Sequence, residues 1–401
     1  MPAQSGATQD EIRRRNVSTL LRRLHVQGAQ SRAQLTESMG LNRSTIKALV
    51  GELTDAALVT ETIPESGLRA GRPSHVVVPR SDTAYVLAAN IGVDTVTAAA
   101  VGLGGVILGR REYRMSASSM KPEAVARRLA AEFSRLRTKL PATAWLSGVG
   151  VGIPGAVRTG DGLVEFAPNL MWRAAPFGEL LAQRLDIPVE VRVGNDGDVG
   201  GLAEHIRGSG RGINDLIYLA GEVGVGGGII VDGRLVTGSQ GYAGELGHMI
   251  VNPGGRTCRC GSRGCFETEV GEEAVLSACG RDPAGGRAAM LDVFAAANAG
   301  EKQALDGLHE IAIWVARGLA TLVNLFNPDI VILGGPLSSL FFLTGDVIKT
   351  EMDSMTMFVG RRRARLVQPG LGQDSSLLGA AELAFEHLLD NPLESCARRV
   401  G

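Results

Sequence analysis

Glu245-Leu-Gly-His248, followed ten residues on by Cys258-Arg-Cys260-Gly-Ser-Arg-Gly-Cys265-Phe-Glu267, is the most specific stretch of the 401-residue chain. One imidazole and three thiols form the mixed N/S donor set that zinc takes in a closed tetrahedral site, so His248, Cys258, Cys260 and Cys265 are the expected ligands of a structural Zn2+. Three of the five cysteines fall within eight residues, and in a reducing compartment such clustering points to metal rather than disulfides. Gly261 and Gly264 let the chain turn tightly around the ion. Cys279 and Cys396 read as inert buried thiols. Glu245 and Glu267 bracket the cluster, and carboxylates fixed on a metal-stapled loop are suited to accept hydrogen bonds from vicinal sugar hydroxyls.

Outward from residues 245–267, apolar runs punctuated by glycine alternate with helical stretches. Strands are expected at 84–91, 95–101, 147–153, 216–220, 228–231 and 330–333, with helices near 122–140 and 304–326. Such alternation means α/β layers, and two such halves imply two lobes around a cleft where a ligand sits. The 54 glycines are spread without period, which excludes a collagen-like or linker-type chain.

The first 80 residues read differently. Val17, Leu20, Leu21 and Leu24 mark one amphipathic helix. Ser31 with Gln34 forms a capping box for a second helix carrying Leu35, which Gly40 ends. Asn42 caps a third, whose Ile46, Val50 and Leu53 face inward while Arg43, Ser44, Thr45 and Lys47 face out. Strands at 57–60 and 75–78 then flank a loop holding Gly67, Arg69, Gly71, Arg72 and Pro73. Together these describe a winged helix-turn-helix over residues 1–80: the third helix offers polar side chains to a DNA major groove, and Arg69 and Arg72 suit phosphates or the minor groove. A three-helix protein-interaction module is the alternative.

Charge agrees with this division. The net charge is −1 overall, but the first 80 residues carry +4 and the remainder −5, so a polyanion partner fits the head alone. No apolar run approaches the roughly 20 residues of a membrane helix and the N-terminus lacks a signal pattern, so a cytoplasmic protein is expected.

The combination resembles the ROK family of repressors, open reading frames and sugar kinases. The resemblance spans nearly the whole chain and rests most firmly on the ExGH motif at 245–248 and the CxCGxxGCxE motif at 258–267. It implies an actin-like, ribonuclease-H-like α/β body over 82–401, in which His248 holds zinc and also touches a sugar gripped by Glu245 and Glu267. Asn195-Asp196 matches the family's Asn-Asp pair, whose Asp is the base of the kinases, and Gly155 and Asn169 match further sugar contacts. Kinases of the family open their first strand with Asp-x-Gly-Gly-Thr, whose Asp organises magnesium; here the segment reads Asn90-Ile-Gly92-Val93-Asp94. The second phosphate loop carries Glu222. Phosphoryl transfer depends on positioning and charge neutralisation, so loss of the magnesium organiser and gain of two acids leaves Asp196 a vestigial base, with no catalytic residue and no ATP expected. The glycines at 224–228 and 334–335 remain open as nucleotide loops or tight turns. The expected function is a sugar-responsive regulator that binds operator DNA as a homodimer or homotetramer; a sugar kinase with an appended DNA-binding head is the alternative.

Overall fold

The computed structural model describes residues 8–63, 75–116, 119–221, 223–357 and 364–398. Thr8 opens α1 (Gln9–Gln27): its hydroxyl accepts from Glu11 N while the Glu11 carboxylate takes the Thr8 N–H. After β1 (Gln30–Ser31), the Ser31–Gln34 capping box starts α2 (Arg32–Met39), which ends at Gly40 in the left-handed region (φ 63°). Asn42 caps α3 (Arg43–Asp55) by accepting from Thr45 N at 2.8 Å. β2 (Val59–Thr62) and β3 (Val76–Pro79) pair antiparallel, and β1 joins the far side of β3. β2 begins two residues later than the sequence implied because Ala57 takes a left-handed backbone (φ 57°) and the turn absorbs it. Arg69 and Arg72, expected at the tip of the β2–β3 loop, lie outside the described residues.

The body contains one sheet plan used twice. β4 (Ala84–Ile91), β5 (Thr95–Gly102) and β6 (Val106–Arg114) form an antiparallel meander. After α4 (Pro122–Arg137), β7 (Trp145–Ile153) runs parallel to β4. A small sheet follows, made of β8 (Ala156–Val157), β9 (Val164–Ala167) and β10 (Trp172–Ala175), then α5 (Phe177–Ala182). β11 (Val191–Asn195) adds parallel to β7, giving the order β11-β7-β4-β5-β6, and leads straight into α6 (Asp196–Arg207). The second half repeats the scheme with β12 (Leu216–Gly221), β13 (Val225–Val231) and β14 (Arg234–Leu235). After α7 (Phe266–Val270), α8 (Glu272–Ala278), α9 (Gly286–Asn298) and α10 (Lys302–Phe326) comes β15 (Ile330–Gly334). α11 (Pro336–Met355) and β16 (Arg365–Val367) complete the order β14-β13-β12-β15-β16, and α12 (Ser375–Asp390) and α13 (Pro392–Ala397) close the chain. The repeated order, with antiparallel strands on one side of the first strand and parallel ones on the other, is the ribonuclease-H-like arrangement.

α6 and α12 lie against each other at the centre. A Cβ on Gly379 of α12 would sit 1.8 Å from Val199 O of α6, so the two backbones touch where only glycine fits. The glycine run at 224–228 spans the β12–β13 turn and the start of β13, and Gly228 backs onto Gly197 O, at 2.9 Å from its would-be Cβ. α4 and α5 cover one face of the first sheet with Leu129, Phe133, Phe177 and Leu181. On its other face Phe385, Leu388 and Leu389 of α12 share one apolar core with Val17, Leu21 and Leu24 of α1 and Val50 of α3. The head therefore packs on the body. Cys279 is buried as expected, whereas Cys396 is only half-buried, with its thiol facing Ala56 O. Among the described residues no helix is long and apolar enough to cross a membrane.

Candidate functional site

The segment after β14 turns through one 3-10 turn, Leu246–His248, that lifts the His248 ring toward the cysteines. Cys258 N donates to Ser262 O at 2.8 Å and Gly261 N to Cys258 O at 3.0 Å, folding the Cys-x-Cys loop back on itself. Gly264 adopts φ 70°, and a Cβ there would lie 1.7 Å from Asn252 O. The donor atoms of His248, Cys258, Cys260 and Cys265 all lie within 4.8 Å of one another. Two edges of the cluster are informative: Cys260 Sγ to Cys265 Sγ is 3.7 Å, and Cys258 Sγ to His248 Nδ1 is 3.6 Å. A tetrahedral zinc with ordinary bond lengths requires edges of about 3.8 Å between sulfurs and about 3.6 Å between sulfur and nitrogen. The donor set fits the ion, with Nδ1 as the imidazole ligand. Burial pushes the Cys258 and Cys265 thiols up, a cost that a bound divalent cation reverses by taking the thiolates as ligands.

The opposite ring nitrogen, His248 Nε2, faces Glu245 Oε2 at 3.8 Å, and Glu267 Oε1 stands 3.6 Å from Nδ1. Glu267 adjoins Asn169, since a Cβ on Gly224 would meet Glu267 Oε2 at 2.3 Å and Asn169 Nδ2 at 3.4 Å. From the other lobe, Asn195 ends β11 and caps α6: its Oδ1 accepts from Gly197 N at 2.8 Å and Asp198 N at 3.1 Å, and its Nδ2 donates to Gly155 O at 2.9 Å. Asp196 Oδ1 approaches Gly226 of β13. The contacts above bring Gly155, Asn169 and Asn195, and Glu245, His248 and Glu267, near one another between the sheets, with Asp196 beside Gly226, presenting three carboxylates, two amides and an imidazole. That is a hydrogen-bonding surface for a polyhydroxylated ligand.

Two residues of this cleft escaped the sequence reading. Arg259, between the cysteines, donates to Asn169 Oδ1 at 3.0 Å and ties the cysteine loop to the opposite lobe. Asp198, in the first turn of α6, is buried, and its Oδ1 has no hydrogen-bond partner. Burial, then the negative charges of Glu245 and Asp196, push its carboxyl from 3.8 to about 8. The folded protein therefore holds a proton that the unfolded chain releases, so this contribution to stability is complete below pH 3.8 and is lost as pH rises to about 8. Asp198→Asn is expected to stabilise the protein by about 3 kcal/mol above pH 8 and by much less at pH 5. Thermal melts across that range check it; equal gains at both pH values would refute the assignment.

Near the end of β4, Asn90 Oδ1 is buried and accepts no hydrogen bond. Asp94 closes the β4–β5 turn and, across the cleft, helps raise the Glu272 carboxyl, whose largest push is burial. Glu272 adds an acid near Asp94 that the sequence reading had not used, while Glu222 lies outside the described residues. The adjoining recess is lined by Val225, Val275, Met290, Phe294 and Leu337; no cationic side chain is among them.

In the head, Arg43, Ser44 and Lys47 are exposed and Thr45 is half-buried along the first turns of α3. Ser44 Oγ is engaged with Asn42 Oδ1 at 2.7 Å, which leaves Arg43 and Lys47 as the freer of the four.

Comparison with known proteins agrees with this geometry. The chain is 27% identical over 385 residues to the xylose repressor of Bacillus spizizenii, covering 96% of this chain and 98% of that protein. The glucokinase of Thermotoga maritima is 34% identical over 256 residues, covering 60% of this chain and 80% of the enzyme. The solved structure of a ROK family transcriptional regulator, a homologue of the E. coli MLC protein, superposes with a TM-score of 0.77 at 24% identity over 96% of this chain and 98% of that one, a likeness of fold. The profile of the ROK family matches residues 86–387, most of the chain, and the chain belongs to the ROK family.

Proposed function

We propose that the chain is a sugar-responsive transcriptional repressor whose residues 1–80 bind operator DNA and whose residues 82–401 bind a sugar without phosphorylating it. What supports the reading is a three-helix head packed on a body that brings polar side chains together between its sheets, with a likeness to the xylose repressor that covers 96% of the sequence. Gly155, Asn169, Asn195, Asp196, Glu245, His248 and Glu267 grip the hydroxyls, and a structural zinc on His248, Cys258, Cys260 and Cys265 holds three of these groups in place. Arg43, Ser44, Thr45 and Lys47, with Arg69 and Arg72 of the wing, contact DNA. The protein works in the cytoplasm as a homo-oligomer, so that two heads reach two half-sites.

A duplex selected in vitro for binding, titrated with D-xylose, D-glucose and N-acetyl-D-glucosamine, tests the reading. At least one sugar is expected to change operator affinity by about 5–150-fold. Glu245→Ala should abolish that response and leave sugar-free DNA binding intact. Unchanged affinity with every sugar would sink the sensing claim. Asp196 and the glucokinase likeness favour one other reading, a kinase with a regulatory head. ATP turnover near 1 s⁻¹ or faster with any of these sugars would establish it.

A further inference from the structure

α6 has one end in the cleft and the other at the head. Its cap Asn195 and first residue Asp196 line the cleft, and its last residue is Arg207, about 18 Å away along a twelve-residue helix. The Arg207 guanidinium is one-tenth exposed, and its Nε and Nη1 make three hydrogen bonds. Nε donates to Glu382 Oε1 of α12 at 2.5 Å. Nη1 donates to Gly104 O in the β5–β6 turn at 2.8 Å and to His25 O at the end of α1 at 3.1 Å. Nη2 lies beside His25 Nε2 without a hydrogen bond between them, since both carry protons.

The His25 ring is fully buried against Phe385 of α12. Gly104 N is 3.0 Å from its Nδ1. A backbone N–H can only donate, so Nδ1 is the acceptor and Nε2 carries the proton, aimed at Glu382 Oε2 at 3.1 Å. Glu382 thus receives one N–H from the head and one from α6. Burial would raise its carboxyl, but His25 and Arg207 together hold it down to about 2. Carbonyls, carboxylate and ring are satisfied only while α1, α6, α12 and the β5–β6 turn keep this arrangement, and partial loss leaves buried polar groups unpaired. Such a junction favours discrete positions over gradual drift. At the cleft end the same two helices are joined again: Ser376 Oγ of α12 donates to Asp196 O at 2.9 Å.

We propose that Arg207 is the positioning residue through which occupancy of the cleft acts on the head. Ligand contacts at Asn195 and Asp196 displace α6 as a rod, and its far end then holds or releases His25 and, with it, α1. This rests on the sugar-sensing reading, and it assigns that reading a route.

The test is amide hydrogen exchange on the full chain with and without D-xylose, D-glucose and N-acetyl-D-glucosamine, each checked for binding by calorimetry. In the unmodified protein a bound sugar is expected to change exchange across residues 20–27 by about fivefold or more. In Arg207→Gln, exchange there should be about tenfold faster and identical with and without sugar, while sugar binding persists within about threefold. Glu382→Gln, which retains the side-chain volume, should also erase the sugar-dependent difference and serves if Arg207→Gln does not fold. A merely structural role would loosen α1 in both states without erasing the difference, so its retention in either folded variant overturns the relay. Sugar binding to the unmodified protein with unchanged exchange at 20–27 overturns the relay and leaves the sensing reading standing. Absence of binding by any of the sugars overturns both.

Discussion

Cys265→Ser is expected to reduce bound zinc from one ion per chain to near none, to lower thermal stability and to abolish the sugar response. Cys265 is fully buried beneath the loop, bridged to Ile250 and 3.7 Å from Cys260 Sγ, so the loss of one thiolate leaves three donors around a site built for four. An ion bound only by the folded state contributes about 4 kcal/mol when its free concentration exceeds Kd a thousandfold. The effect on the cleft follows from geometry. His248 and Glu267 are held by the same loop that presents them, and Glu267 Oε1 stands 3.0 Å from Cys258 Sγ. Metal analysis, thermal melts and sugar titration of the variant check the three parts separately. Cys279→Ser is the control, because Cys279 is buried near Ala304, away from the cluster, and should leave zinc content unchanged. Full zinc content in Cys265→Ser would remove the metal assignment.

Glu204→Ala should destabilise the fold by about 5 kcal/mol, comparable to the whole stability of many domains. Glu204 is fully buried in α6, and its carboxylate accepts from Ser209 N, Gly370 N and Leu371 N at 2.9 Å each and from Ser375 Oγ at 2.7 Å. Removing it orphans three backbone N–H groups, each worth about 1–3 kcal/mol when left unpaired, with partial relief from water, while the Ser375 hydroxyl keeps Gly372 O as an acceptor. Glu204→Gln keeps one oxygen as an acceptor and should fall between the two, at about 2–3 kcal/mol. Denaturant unfolding ranks the three proteins. An alanine variant with an unshifted midpoint would mean that water replaces the carboxylate freely, and that the junction of α6, α12 and the 208–210 loop is softer than its geometry indicates.

These predictions separate what was legible in the residues from what was not. The His/Cys loop was legible because all its donors fall within 245–267, and because Gly261 and Gly264 mark its turns. The caps at Ser31 and Asn42 were equally plain, since a capping side chain reaches a backbone N–H only three residues away. Strand cores at 84–91, 216–220 and 330–333 followed from apolar runs bounded by turn residues and end within a residue of the observed strands, whereas the strand expected at 57–60 starts two residues later because Ala57 takes a left-handed turn. The glycines at 224–228 were ambiguous, because a glycine that admits a helix backbone and a glycine that shapes a loop are the same letter.

By itself, the sequence determined the His/Cys cluster at 248–265, the helix starts and the alternation that makes the body α/β. The tertiary structure alone decided that Arg259 crosses to Asn169, that Asp198 is buried with its Oδ1 unpartnered near two other acids, and that one helix spans from Asn195 to the head. The partners at that junction are far apart in the chain: Arg207 and Glu382 are separated by 175 residues, and His25 and Glu382 by 357. Periodicity and capping act over one or two turns of backbone. An arginine that closes a helix reads as an ordinary solvated end until folding brings a buried carboxylate and a histidine against it.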